Sequence, residues 1–138
     1  MGMFIIDTIV NVSKVLLGFK KNLIEEDERT RQKISDYLLG ISDCLAAVYQ
    51  DLVNDKIPYG RCTEMKDYAR LLPETLGKAI GNTKAIDLSE MLADAHEVER
   101  LAMEFERNPD TKNELIKIDE AAGTLRALAI SIKAGLNY

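Results

Sequence analysis

The sequence predicts an all-α fold: an antiparallel four-helix bundle with an additional apolar helix at its N-terminus, about five helices in all. Three observations lead there. Apolar residues recur at alternating steps of three and four over long stretches, the spacing of one helix face. Short clusters of Pro, Gly, Asn and Asp separate these stretches and break helices. No segment alternates apolar and polar residues as a half-buried strand does.

The first element covers residues 3–23. As a helix it lines up Asp7, Asn11, Lys14 and Lys21 in a narrow polar strip, and most of its remaining surface is apolar. The second stripe is Ile34, Leu38, Ile41, Leu45, Val48 and Leu52. The charged stretch 25–33 before it is either the solvated first turns of the same helix or a loop. Pro58 and Gly60 then enforce a turn. A third helix over about 62–80 carries Met65, Ala69, Leu72, Leu76 and Ile80, and Pro73 is expected to kink or split it. Asp87 followed by Glu90 resembles a capping box and predicts the start of a fourth helix there. That helix carries Leu88, Leu92, Ala95, Val98, Leu101 and Phe105 and breaks at Asn108-Pro109. The fifth stripe is Leu115, Ile118, Ala122, Leu125, Leu128 and Ile132, with Gly135 as the stop. One domain over 1–138 is expected, with a four-helix body at 25–134. Short connections make sequential helices antiparallel neighbours.

Composition narrows the function classes. Hydrophobic residues make up 46% and charged residues 30% of the chain, as in a globular protein that buries its own core. The net charge is −5 and no dense Lys/Arg cluster occupies a face, which argues against nucleic acid as a partner. Lys14, Lys20 and Lys21 against Asp7 give the first 24 residues a charge of +2, which leaves −7 for the remainder. A basic, apolar start on an acidic body suits an anionic surface, either a membrane or the body itself. Cys44 and Cys62 lie on or beside apolar stripes and are expected to be buried thiols in a reducing cytoplasm.

No catalytic pattern is legible, so the chain is not expected to be an enzyme or to hold a cofactor or metal. His96 lacks the second histidine of a zinc protease, because Arg100 stands there. It also lacks the preceding glutamate of a di-iron bundle, because that position is Ala93. Glu97, Glu99, Glu104 and Glu106 read as a solvated face. Tyr59 and Arg61, beside Pro58 and Gly60, are a candidate interaction loop. The plainer reading of that loop is a turn whose aromatic packs over the bundle end.

The first segment carries the functional question. It would reach about 30 Å as a helix, close to a bilayer's hydrocarbon thickness. Asp7 and Lys14 make it a poor constitutive span, at about 2.5–3.5 kcal/mol for each charge at mid-bilayer. Two readings follow. In one, residues 3–23 form a central helix wrapped by the others. In the other, the segment leaves the bundle and either lies in the membrane interface, for which its polar face is thin, or assembles in several copies with their polar strips facing a water-filled lumen.

An N-terminal apolar helix ahead of a compact four-helix bundle resembles the HeLo-like membrane-targeting domains of regulated cell death. These include fungal HeLo domains, the bundles of mixed-lineage kinase-like proteins, the coiled-coil domains of some plant immune receptors, and bacterial Bell domains. The resemblance is architectural and rests on the position and character of residues 3–23. It implies a dormant, cytoplasmic effector of a prokaryotic cell-death or immunity system that self-associates and relocates to the inner face of the plasma membrane. It also implies an upstream signalling or sensor protein. Phe4, Ile5, Ile6, Ile9, Val10, Val12, Leu16, Leu17 and Phe19 would then enter lipid. Lys14, Lys20 and Lys21 would meet anionic headgroups, and Asp7 and Asn11 would face a pore. The competing expectation is a helical adaptor or dimerisation module whose first helix is core.

Overall fold

The computed structural model of the protein describes residues 2–94 and 113–135, without the side chains of residues 2–4, 62 and 94. His96, the glutamates at 97–106, the distal stripe at 95–105 and the break at 108–109 lie outside the described residues, as do the side chains of Phe4 and Cys62. Six helices occupy the described residues: α1 Gly2–Gly18, α2 Lys20–Ile24, α3 Glu28–Val53, α4 Tyr59–Ile80, α5 Asn82–Asp94 and α6 Ile116–Ala134. The fold is an all-α bundle, as the periodicity predicts.

The N-terminal segment is two helices, not one. Phe19 leaves the helical path at φ −94°, ψ 9°, and its N–H bonds to the Leu16 carbonyl at 3.1 Å. Gly18, the last residue of α1, contributes little to helix stability, since glycine costs about 1 kcal/mol relative to alanine. The bend lets α2 drive Leu23 into the core, where it is fully buried.

α3 begins at Glu28, so the charged stretch over residues 28–33 is its solvated first turns. Asp27 caps it, its carboxylate accepting the Thr30 N–H at 2.7 Å. α4 begins at Tyr59, three residues before the expected 62, directly after Pro58. A proline costs nothing there, because the first helical N–H groups have no intrahelical partner.

Pro73 does not split α4, which runs unbroken to Ile80. The proline cannot donate to the carbonyl four residues back, that of Ala69. Ser89 of α5 supplies the missing donor, its hydroxyl bonding to the Ala69 carbonyl at 2.6 Å. The expected capping box at Asp87–Glu90 is therefore not a helix start. α5 begins at Asn82, because Gly81 reverses the chain in a single residue at φ 92°, a conformation open to glycine.

α6 packs most extensively on α3, and α5 on α4. α3 also meets α4, while α1 lies between α5 and α6. The contacts therefore close a ring in which α1 is one wall. Ile5, Ile6, Ile9, Val12 and Leu16 belong to the same core cluster as the stripes of α3, α4 and α6. Residues 3–23 are thus not a central helix wrapped on all sides, because the Asp7–Asn11–Lys14 side of α1 is exposed. Two hydroxyls set the α3–α6 register: Ser35 donates to the Ala129 carbonyl at 2.9 Å and Ser42 to the Ala122 carbonyl at 2.8 Å. The residue numbers rise on α3 as they fall on α6, so the pair is antiparallel.

Candidate functional site

The polar strip of α1 does not stand alone. Asp7, Asn11 and Lys14 recur about one turn apart and form one lip of a groove of about 540 Å³ between α1 and α6. Lys117, Glu120 and Thr124 of α6 form the other lip, and Val10, Ser13 and Ala121 complete the lining. Two carboxylates and two ammonium groups share the groove, so its formal charge balances. Lys117 is held above the usual lysine range by its hydrogen bond to Glu114 at 2.5 Å. The charge of Glu114 adds to this, and the charges of Asp7 and Glu120 push the same way. Ser13 is buried, and its hydroxyl is committed to the Val10 carbonyl at 2.7 Å. The lining therefore offers alternating charge and hydrogen-bonding groups, without a nucleophile beside a base. Among the described residues no cluster of His, Cys, Asp and Glu has the geometry of a metal site.

The apolar residues of α1 face the other way. Ile5, Ile6, Ile9, Val12 and Leu16 are buried, and Val10 and Phe19 are half-buried. Leu17 is 44% exposed, Lys14 and Lys21 are exposed, and Lys20 is half-buried. Most of the residues expected to enter lipid thus form core contacts in this structure, and the two expected to face a pore already face solvent in the groove. Among the described residues, no helix is long and apolar enough to cross a membrane.

Tyr59 and Arg61 part company. Tyr59 is 64% exposed and does not pack over the bundle end. It shares the α3–α4 turn with the exposed side chains of Val53 and Ile57, while Pro58 is buried and anchors the turn. Arg61 is half-buried and pairs with Glu64 at 2.7 Å. Behind it, the buried thiol of Cys44 approaches the Arg61 carbonyl at 3.5 Å. The exposed apolar group at the tip is therefore Val53, Ile57 and Tyr59, and Arg61 braces the helix start.

The three polar groove residues of α6, Lys117, Glu120 and Thr124, were missed by the sequence reading. They recur at steps of three and four on α6, a polar stripe next to the apolar one, and that spacing is a readable signal. The chain matches no protein-family model, no curated protein and no solved structure.

Proposed function

We propose that the chain is a membrane-targeting helical bundle, a non-catalytic effector of a prokaryotic cell-death or immunity system. It rests in the cytoplasm, self-associates on a signal from an upstream sensor, and permeabilises the inner face of the plasma membrane through its N-terminal segment. The observation that carries this reading is the two-sided build of α1. Five aliphatic side chains are stored in the core, while Asp7, Asn11 and Lys14 face a polar groove. The bend at Phe19 separates this helix from the body. In a membrane the aliphatic side would meet acyl chains and the polar side water, with Lys14, Lys20 and Lys21 near anionic headgroups.

Release is expensive. Exposing five buried aliphatic side chains costs on the order of 10 kcal/mol, at about 1.5–3 kcal/mol each, which rivals the stability of a whole domain. α1 therefore stays docked until lipid replaces the core contacts and self-association contributes the difference. The test is dye release from anionic vesicles, with the protein clustered through an added dimeriser. The unaltered chain is expected to release dye. The Asp7→Leu/Lys14→Leu double variant is expected to stay folded and release much less, because its polar side no longer holds water. Intact vesicles under forced clustering sink the reading.

A second reading is a soluble adaptor or dimerisation module with α1 as permanent core. It is favoured by the deep burial of Ile6, Ile9 and Leu16. It predicts specific self-association and no leakage under any clustering.

A further inference from the structure

α6 is apolar on two opposite sides. Its inner side is the core stripe, and its outer side carries Ile116, Gly123, Ala127, Ile130 and Ala134. At 3.6 residues per turn these five fall on one line opposite the core, about 27 Å long, with the exposed Glu120 at its groove-side edge. All are exposed, Ile116 at 48% and Ile130 at 59%. A Cβ added at Gly123 would meet nothing within 4 Å. We propose that this outer face of α6 is the self-association surface of the protein, and that it docks antiparallel against α6 of a second copy.

The charges beside the line select that occupant. Asp119 and Lys133 lie on the same flank, one near each end, and neither makes an ion pair with a described residue. A two-fold axis at the level of Leu125 sets Asp119 beside Lys133 of the second copy, about 3 Å apart along the helix axis, and does so twice. The same axis sets Gly123 against Ala127, which permits close approach, and Ile116 against Ala134. Arg126, near the axis, is already paired with Asp43 of its own α3, so it brings no uncompensated like charge to the centre. A parallel pair would carry Asp119 and Lys133 of the two copies to opposite flanks of the seam and would form neither pair.

This goes beyond the membrane reading, from which it takes only the expectation that copies meet. It is tested without lipid, so the two fail separately. Sedimentation of the full chain over a concentration series, in buffer alone, is expected to show a reversible monomer–dimer equilibrium. Ala127→Arg should leave a folded monomer. Asp119→Lys and Lys133→Asp should each weaken the dimer by about tenfold or more, and the double reversal should restore it. Circular dichroism checks that each variant, altered only at exposed positions, keeps its helices. A monomer throughout, a dimer indifferent to Ala127→Arg, or reversals that fail to compensate each other overturns the proposal.

Discussion

Ser89 shows how one hydroxyl decides the path of a helix. Pro73 removes a donor from α4, and Ser89 restores it from α5. Ser89→Ala should therefore destabilise the protein by about 1–3 kcal/mol, as expected when a buried acceptor loses its partner. Pro73→Ala should suppress most of that loss, because the alanine N–H can reach the same carbonyl. Denaturant titration of the two single variants and the double variant measures the coupling, and simple additivity would refute the pairing. The bond was not legible in sequence because Ser89 also fits a capping pattern, and local spacing cannot tell which carbonyl it will meet. Asp27 was likewise silent, one acid in a charged run. Its hydrogen bonds from Thr30 hold its carboxyl below the usual carboxylate range. A lowered native pKa means that its contribution is complete above the unfolded-state value and is lost as pH falls through the native one. Asp27→Asn, which keeps an acceptor but cannot titrate, should flatten the dependence of the melting temperature on pH on the acid side. An unchanged acid slope in that variant would remove Asp27 as its source.

At the scale of elements, periodicity carried most of the information. The stripes of α3, α4 and α6 lie in the core as their spacing predicts, including Ile34 to Leu52 on α3. Boundaries were less legible, because they turn on single residues that act through tertiary contacts. Gly81 moves the start of α5 to Asn82, and the bend at Phe19 divides the N-terminal segment. Gly40 is another such residue. A Cβ there would collide with the Tyr68 ring, which packs edge-on against Tyr37 at 5.6 Å. Tyr37 donates to the Tyr68 carbonyl, and burial pushes its phenol far above the ordinary tyrosine range. Gly40→Ala should therefore force α3 and α4 apart and lower the melting temperature. A neutral effect would show that Tyr68 can swing clear. The polar strip of α1 was legible from sequence, but its opposing lip on α6 was not. The sequence separates Asp7 from Lys117 by most of the chain, and only packing joins them.

At the scale of the molecule, α1 is a wall of the bundle and not an appendage. Ile9→Ala or Leu16→Ala should each cost about 2–5 kcal/mol, the range for truncating a buried aliphatic side chain. A loss well under 1 kcal/mol at both sites would mean that the four-helix body closes without it. The proposed activity needs this wall to be both stable in water and exchangeable for lipid. Hydrogen exchange read by mass spectrometry, with and without anionic vesicles, tests that claim most directly. In buffer, α1 amides are expected to exchange as slowly as those of α3 and α6. With vesicles and a dimeriser present, the α1–α2 segment should change its protection while the α3–α6 pair keeps its own. Identical protection in both conditions, with α1 as slow as the core throughout, would contradict the account and leave α1 a permanent part of a soluble bundle.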